Sequence, residues 1–332
     1  MADLCNLPRM VAIGGPTATG KTALSVALAK EFGGEVINAD SMQIYRGLDV
    51  GTAKPTAGER QGIPHHLMDF LPPEAPYSVA DFTAAAAPLI EQLNSAGRLP
   101  IVTGGTGLYI TSLMKGTAFA PEKTDPAIRA RLQAEADEQG SAALYARLQE
   151  IDPAYAEKLH PNNLPRVIRA VGCFGRQKVH HLPRVIRALE LFEATGRRMS
   201  EQQRAALAAE PPYRSLCICL TCRDRAELYR RIDRRVDSML QNGVLEEAKL
   251  VYDNRETYRT AAQAIGYKEF FPYFAGEMPL NDCTNRLKQA TRNYAKRQLT
   301  WFRHQADGVW LYVDEEPPAP RAAELVRQFL QN

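Results

Sequence analysis

A glycine-rich stretch near the start of the chain constrains the fold more than any other feature. Residues 15–22 read GPTATGKT, fill the pattern G-x-x-x-x-G-K-[ST] and follow an apolar run from Met10 to Ile13. Such a loop aims backbone N–H groups at an anion, Lys21 adds positive charge, and the Thr22 hydroxyl can hold a magnesium ion. A chance glycine-rich turn would not be expected to have a strand before it and a helix, Lys21 to Phe32, after it. The predicted ligand is a diphosphate or triphosphate, and its predicted binding residues are Gly15, Pro16, Thr17, Ala18, Thr19, Gly20, Lys21 and Thr22.

The composition is that of a globular protein large enough for two domains. The chain has 332 residues, of which 45% are hydrophobic and 24% charged, and its net charge is +3. No apolar run is long enough to span a membrane and no signal-peptide pattern occurs, so we expect a cytoplasmic protein. The six cysteines show no disulfide-framework spacing. Cys217 and Cys219 share one face of a predicted strand, which favours core thiols over metal ligands.

Strand and helix patterns alternate through the first part of the chain. Apolar runs from Glu35 to Ala39 and from Leu99 to Val102 read as strands. Between them, Ser78 to Asn94 has helical spacing, with Ser78 as the N-cap. With the P-loop unit, this alternation predicts an α/β fold with a P-loop NTPase-like parallel sheet and helices on both faces.

The alternation stops after Pro121. Only helical spacing is found from 121 to about 205, including Asp125 to Gln139 and Ser141 to Ile151, before a strand pattern returns at Ser215. We therefore predict a P-loop core in residues 1–120, an all-helical inserted domain in residues 121–205, and a return to the core in residues 206–332.

Polar turns follow two of the predicted strands. Asp40 comes directly after the run that ends at Ala39, and Thr106 lies in the turn TGGTG after the run that ends at Val102. The carboxyl ends of parallel strands meet at one edge of a sheet, so both turns are expected to face the P-loop. An acid placed there steadies a magnesium ion or accepts a proton; the alternative is that Asp40 only caps a turn.

Two basic segments follow the predicted insertion. Residues 223–235 place six arginines among three acids on a predicted helix, with Arg225 and Arg231 on neighbouring faces. Residues 285–305 contain aromatic residues and no acid. Positive charge combined with aromatic surface is typical of nucleic-acid binding, although the aromatics also fit an amphipathic helix that buries them. The basic residues of this second segment are Arg286, Lys288, Arg292, Lys296, Arg297 and Arg303.

A series of segments along the chain carries a family resemblance. In order they are GPTATGKT, DSMQIYRGLDVGTAKP, PHHLMD, YSVADF, GRLPIVTGGTGLY, the helix of Arg225 and Arg231, QAIGYKE and AKRQLTWFR. From about Met10 to Trp310 the chain thus resembles the tRNA dimethylallyltransferase family, also called tRNA isopentenyltransferases. The resemblance implies an enzyme that uses Mg²⁺ and transfers a dimethylallyl group from dimethylallyl diphosphate to the N6 amine of the adenosine 3′ of the anticodon. We expect the protein to be a monomer.

The resemblance also implies a role for each matching residue. Asp40 would accept the N6 proton beside Thr106, while Arg225 and Arg231 would stabilise the leaving diphosphate, with Thr22 on the metal. The helical insertion would bind the anticodon stem-loop, with the target base taken out of its stack. The implied tRNA-binding residues are Asp40, Ser41, Met42, Gln43, Thr106, Arg129, Pro183, Arg184, Val185, Ile186, Arg187, Gln263, Ala264, Ile265, Gly266, Tyr267, Lys268, Lys296 and Arg297.

One segment departs from the family pattern. LPRVIRA occurs at residues 164–170 and again, word for word, at residues 182–188, where the family has one copy. Pro183 interrupts any helix that would join the two copies, and the apolar pattern after the second copy continues to a stop at Thr195 and Gly196. We therefore expect the second copy to occupy the family's helix.

A P-loop kinase for a small molecule or a nucleotide is the main alternative, because a P-loop and an arginine-rich helix also serve phosphoryl transfer. A catalytically silent RNA-binding protein would need only the basic segments. The segments GTAKP and QAIGYK and the long insertion argue against a kinase. The intact GKT and Asp40 argue against a silent protein.

Overall fold

The computed structural model describes residues 7–117, 125–159, 182–208 and 210–331. Two compact units make up the chain. The first comprises residues 1–114 and 211–332, and the second comprises residues 115–210. The predicted insertion, residues 121–205, falls within the second unit.

A parallel sheet forms the centre of the first unit, as predicted. In the described residues it has six strands in the order β3-β2-β4-β1-β5-β6, and every neighbouring pair is parallel. The strand predicted at Ser215 is β5, and its thiols Cys217 and Cys219 are buried core groups. The strands are β1 Arg9–Gly14, β2 Glu35–Asn38, β3 His65–His66, β4 Pro100–Thr103, β5 Arg214–Thr221 and β6 Val309–Tyr312.

The helices that were predicted with bounds, among them Lys21–Phe32 and Ser141–Ile151, begin and end close to the predicted positions. Ser78 caps the helix that follows it, and its side chain accepts a hydrogen bond from the Asp81 N–H, a contact that contributes about 1 kcal/mol. Among the described helices, none is both long and apolar enough to cross a membrane. They are α1 Lys21–Phe32, α2 Ala57–Arg60, α3 Val79–Ser95, α4 Gly107–Met114, α5 Pro126–Gln139, α6 Ser141–Ile151, α7 Pro153–Leu159, α8 Leu182–Thr195, α9 Met199–Ala208, α10 Arg225–Gln241, α11 Val244–Asp253, α12 Phe271–Phe274, α13 Leu280–Gln305 and α14 Pro318–Gln331.

Helices cover both faces of the sheet, because successive side chains of a strand point to opposite sides. Met10 and Ala12 pack in a cluster with α3, α4 and Phe302 of α13. Val11 and Ile13, from the same strand, pack in a second cluster with α1 and α14. The sheet is therefore buried on both sides, which explains why its strands read as continuous apolar runs.

The second unit, in the residues described, consists of helices α5 to α9 around a small apolar core. Val185, Ile186 and Leu189 of α8 are buried in that core. Helix α8 ends at Thr195, as predicted, and contains the second copy of LPRVIRA. The first copy, residues 164–170, lies outside the described residues.

Candidate active site

The loops after β1, β2 and β4 meet at the carboxyl edge of the sheet. The Gly104 N–H donates to the Ile13 carbonyl at 3.2 Å, and the Thr106 N–H donates to the Ala39 carbonyl at 3.3 Å. The Thr106 hydroxyl in turn accepts a hydrogen bond of 3.0 Å from the Ser41 N–H. The sequence prediction that these three turns lie side by side is therefore confirmed.

A cavity of about 670 Å³ opens at this edge of the sheet. It is bordered by the P-loop from Thr17 onward, by the turns after β2 and β4, and by parts of α10 and α13. All of its lining residues belong to the first unit. Its lining residues include Thr17, Ala18, Thr19, Gly20, Lys21, Thr22, Asn38, Asp40, Met42, Gln43, Gly51, Thr52, Ala53, Glu59, Gly104, Gly105, Arg235, Val236, Met239, Gln263, Ala264, Ile265, Gly266, Lys268, Tyr294, Arg297 and Gln298.

The P-loop has the backbone that its glycines permit. Gly15 has a φ of 130°, and a Cβ there would lie 2.3 Å from the Leu220 carbonyl oxygen, so only glycine fits. Ala18 has a φ of 66°, an unusual value for a residue with a side chain. Within the loop, the Lys21 ammonium donates a 2.7 Å hydrogen bond to the Pro16 carbonyl. The Lys21 side chain is thus hydrogen-bonded to the loop that contains it, and the residues from Thr17 to Thr22 line the cavity.

Four basic side chains, Lys21, Arg235, Lys268 and Arg297, and two acids, Asp40 and Glu59, line this cavity. Burial and, to a smaller extent, the nearby Arg235 lower the pKa of Lys21 to about 7, although Asp40 opposes both effects. Burial also lowers the pKa of Arg235, again against the attraction of Asp40. Basic side chains therefore outnumber acidic ones in the lining, which leaves an excess of positive charge. The cavity is therefore electrostatically suited to a diphosphate.

Asp40 both caps a turn and lines the cavity, so the two alternatives that the sequence left are compatible. Its Oδ1 accepts a 3.0 Å hydrogen bond from the Met42 N–H, so it does cap the turn. The same residue lines the cavity together with the Gly104-Gly105 turn. Thr106 comes one residue later, and its hydroxyl donates to the Ser41 hydroxyl at 3.2 Å. Asp40 therefore lines the cavity, whereas Ser41 and Thr106 lie in the adjoining turns and are not among the described lining residues.

Arg235, which the sequence interpretation did not single out, is the arginine of α10 that lines the cavity. The described lining includes neither Arg225, which is exposed at the start of α10, nor Arg231. Arg231 instead donates to Glu227 at 2.9 Å and to the Val313 carbonyl at 3.2 Å. The structure therefore adds Arg235 as a candidate for the diphosphate, and the roles of Arg225 and Arg231 stay predictions.

The packing of α10 decides which arginine faces inward. Its buried side chains are Leu228, Ile232 and Val236. Arg235 precedes Val236 and lies one turn before Met239, and both of these apolar residues also line the cavity. The apolar stripe at helical spacing indicates which face of α10 packs inward, but it does not by itself select one arginine.

The predicted tRNA-facing segment from Gln263 to Lys268 also borders the cavity. Five of its six residues line it, and Tyr267 does not. Tyr267 is fully buried, and its hydroxyl donates to Glu247. The predicted tRNA contact of the Tyr267 side chain is therefore corrected: the ring packs behind Gly51, where a Cβ would lie 2.4 Å from it.

Helix α13 combines the two interpretations that its sequence allowed. Phe302 is buried in the core, whereas Trp301 is 37% exposed. Arg292 pairs with Asp233 at 2.9 Å, and Lys288 pairs with Asp237, both acids of α10. The residues Lys296 and Arg297 are exposed, and Arg297 also lines the cavity.

In the second unit, three predicted tRNA-binding arginines lie near the surface. Arg129 and Arg187 both donate to the buried carboxylate of Glu190, at 2.8 and 3.1 Å, and Arg184 is exposed. Pro183 is exposed as well. The predicted tRNA contacts of Val185 and Ile186 are corrected, because these side chains form the core of the unit.

Two family models match the chain. One, described as IPP transferase, covers residues 43–305, and the other, described as isopentenyl transferase, covers residues 8–69. A tRNA dimethylallyltransferase of Geobacillus kaustophilus is 45% identical over 322 residues, which is 97% of this chain and 96% of the relative. The tRNA dimethylallyltransferase of Bacillus subtilis is 43% identical over 313 residues, 93% of this chain and 91% of the relative.

Two solved structures are similar over nearly the whole chain. A full-length tRNA isopentenylpyrophosphate transferase from Bacillus halodurans aligns with a TM-score of 0.68 and 40% identity, and the match covers 98% of this chain and 97% of the other. A eukaryotic dimethylallyltransferase acting on tRNA aligns with a TM-score of 0.77 and 29% identity, and the match covers 98% and 80% of the two chains.

Proposed function

The chain belongs to the IPP transferase family and transfers a dimethylallyl group to tRNA, and from that premise we propose that the cavity beside the P-loop is its active site. The donor is dimethylallyl diphosphate, and the acceptor is the N6 amine of the adenosine 3′ of the anticodon. The observation that carries this assignment is that the P-loop, Asp40 and the turn before Thr106 border one cavity. The relatives are tRNA-modifying transferases, which argues against the alternative of a P-loop kinase.

The diphosphate binds to the P-loop, Lys21 and Arg235. As the allylic C1–O bond breaks, negative charge collects on the leaving diphosphate, and preorganised N–H groups and cations stabilise that charge. The bound anion offsets the burial that lowers the pKa of Lys21 and keeps this side chain protonated. We assign the arginine role to Arg235 because it shares the cavity with Lys21 and Asp40.

A magnesium ion fits this site only as a companion of the diphosphate. Among the described residues, no group of three or more histidine, cysteine or acidic side chains could hold a metal. Mg²⁺ is often bound by one or two protein oxygens, by water and by substrate phosphates. Thr22, which lines the cavity, would supply the protein oxygen. When bound, the ion would supply further positive charge for the leaving diphosphate.

Asp40 accepts the proton of the adenine amine. The N6 amine becomes an effective nucleophile only if its proton can leave as the new C–N bond forms, and a carboxylate in reach can take that proton. The Met42 N–H, bonded to Oδ1, fixes the orientation of this carboxylate. Thr106 and Ser41, joined through their hydroxyls, stand beside it as partners for the amine.

Both units contribute positive charge for RNA binding. In the first unit, Lys268, Lys296 and Arg297 are exposed, and Lys268 and Arg297 also line the cavity. In the second unit, Arg129, Arg184 and Arg187 lie at or near the surface of the helices. Phosphate contacts by such side chains position an RNA without reading its sequence. We assign the second unit to the anticodon stem-loop.

The enzyme acts as a cytoplasmic monomer on this proposal, because its acceptor is tRNA and all catalytic groups named above come from one chain. Size-exclusion chromatography with light scattering tests the oligomeric state. A stable dimer at micromolar concentration would contradict it.

The reaction itself is tested with dimethylallyl diphosphate labelled in the prenyl group. The labelled donor is incubated with enzyme, magnesium and tRNA. The label should then appear in tRNA as an N6-modified adenosine at the position 3′ of the anticodon. Parallel incubation with labelled ATP should leave tRNA unlabelled. Transfer of the γ-phosphate of ATP to any acceptor, without prenyl transfer, would instead support the kinase.

A further inference from the structure

Gln298 of α13 joins two loops of the active site through its side-chain amide. Its Oε1 accepts a 3.1 Å hydrogen bond from the Thr17 N–H, and its Nε2 donates a 2.8 Å hydrogen bond to the Gly105 carbonyl. The residue is only 5% exposed. Since one partner is a donor and the other an acceptor, only one orientation of the amide satisfies both.

Gly105 and the Gln298 amide pack closely against each other. A Cβ on this residue would lie 2.5 Å from Gln298 Nε2. A side chain at position 105 would therefore push the amide out of place, and glycine is needed for the contact. Tyr294, one turn earlier on α13, also lines the cavity. The amide is thus held by one hydrogen bond to each of the two loops.

The two loops joined in this way carry different parts of the reaction. Thr17 belongs to the loop that binds the diphosphate. Gly105 directly precedes Thr106, which stands on the side of the amine. In the sheet, β1 and β4 are neighbours, but their loops extend beyond the last strand pairing at Thr103. The contact through Gln298 therefore adds a tie between the two loops where the sheet no longer holds them.

We propose that Gln298 is a positioning residue, which fixes the distance between the diphosphate loop and the Thr106 turn and thereby the distance from the allylic carbon to the amine. The inference rests on the proposed function. Gln298 acts through Thr17 and Gly105 rather than on the reacting atoms. Misplacing reacting groups by about 1 Å can cost roughly 10²-fold in rate.

The test compares Gln298→Met with the wild-type enzyme in single turnover, with saturating dimethylallyl diphosphate and tRNA. Methionine keeps the length of the side chain and removes both hydrogen bonds. The rate should fall by about 30- to 100-fold, while the Kd of tRNA should change by less than about threefold. The control is Gln328→Met, an exposed glutamine of α14, which should leave the rate unchanged.

A second variant separates positioning from a merely structural role. In Gln298→Glu, the ionised carboxylate keeps the bond to the Thr17 N–H but turns an acceptor toward the Gly105 carbonyl. Once protonated, it regains a donor for that carbonyl. The rate of this variant, divided by the wild-type rate at the same pH, should therefore rise as the pH falls. The same ratio for Gln298→Met should stay flat.

A folded Gln298→Met enzyme within threefold of the wild-type rate would overturn the inference. If Gln298→Met does not fold, Gln298→Glu is used instead. A ratio of its rate to the wild-type rate that does not change with pH would also overturn the inference. Each assay includes wild-type enzyme. If the wild type moves no label to tRNA, the proposed function itself fails, and this outcome is distinct from failure of the positioning role.

Discussion

Arg292 on α13 donates hydrogen bonds of 3.1 and 2.9 Å to the two carboxylate oxygens of Asp233 on α10. Four residues before it, Lys288 pairs with Asp237 of the same neighbouring helix. These two cations therefore serve helix packing. Lys296 and Arg297, by contrast, are exposed. The acid-free part of α13, residues 285–305, is therefore divided into a packed edge and an exposed edge.

Salt dependence of tRNA binding should reveal this division. Lys296→Ala and Arg297→Ala should each weaken binding and reduce the slope of log K against log salt by about 1, because each loses one phosphate contact. Arg292→Ala should leave the slope unchanged and lower the free energy of unfolding by about 1 kcal/mol, since it breaks a partly exposed ion pair. Binding is measured from 50 to about 200 mM salt, and stability by urea unfolding. A slope reduced equally by Arg292→Ala would mean that this arginine also contacts RNA.

Replacing Asp40 by asparagine should slow the chemical step without affecting RNA binding. Loss of a general base costs roughly 10²- to 10⁴-fold in rate. Asparagine retains an oxygen for the Met42 N–H, so the turn should survive. Single-turnover rates are compared with those of Asp253→Asn, an exposed acid paired with Lys249 on α11. Rates for Asp40→Asn near the wild-type value would remove Asp40 from the role of base.

Binding of the donor alone should weaken as the pH rises above neutrality. In the ligand-free protein the pKa of Lys21 is about 7, mainly because of burial, so this lysine loses its proton in the free state above that pH. A bound diphosphate favours the charged form, so binding then requires uptake of a proton, at a cost of up to about tenfold in Kd per pH unit. The terminal phosphate of the donor has its last pKa at about 6, so it does not titrate above neutral pH.

The measurement is the Kd of dimethylallyl diphosphate from pH 7 to about 9 by calorimetry at constant magnesium, a window that starts at the lowered pKa of Lys21. Lys21→Met serves as the control and should bind weakly, with a Kd that does not change with pH. A wild-type Kd that is constant over the same range would show that Lys21 remains charged in the free enzyme.

Glu247 on α11 holds the loop that closes one side of the cavity. Its carboxylate accepts hydrogen bonds from the N–H groups of Asp49, Val50 and Gly51, at 2.7, 2.9 and 2.9 Å, and from the Tyr267 hydroxyl. Gly51 and the two residues after it line the cavity.

Glu247→Ala should lower the free energy of unfolding by about 3 kcal/mol, because several donors lose a charged acceptor together. It should also weaken donor binding, since the cavity wall is no longer fixed. The control is Glu246→Ala, an exposed neighbour on the same helix. Equal melting temperatures for the two variants would show that the loop is held by other contacts.

The sequence predicted the fold well where the signals are local. The P-loop, the Ser78 cap and the helix that ends at Thr195 depend on residues within a few positions of one another. Strand β6, Val309–Tyr312, was not predicted, because four residues beside the basic helix give too short a pattern. Its place in the sheet comes from pairing with β5, which is distant in sequence.

The candidate site was predictable for the loops and not for the helices that pack over them. Asp40 follows a strand in sequence, so its place at the sheet edge could be inferred. Arg235 and Gln298 reach the cavity only because of how α10 and α13 pack. The charge pattern of the sequence does not show which arginine of α10 lines the cavity. A buried glutamine on a basic helix looks like a surface residue until its partners, Thr17 and Gly105, are known.

The repeated heptapeptide gives the last prediction. The second copy lies in α8, where Val185, Ile186 and Ala188 pack in the core and Arg187 bonds to Glu190. Since the copies are identical and offset by eighteen residues, deleting 164–181 or 171–188 yields the same chain, in which one copy is followed directly by residue 189.

The shortened chain should therefore rebuild the same helix, with the same core side chains and the same arginine beside Glu190. Its tRNA prenylation rate should equal or exceed that of the full chain, and its melting temperature should not fall. Thermal unfolding and the labelled-donor assay measure both. A shortened protein that folds but no longer modifies tRNA would show that the additional eighteen residues take part in RNA binding, and the second copy would then be required for more than the packing of α8.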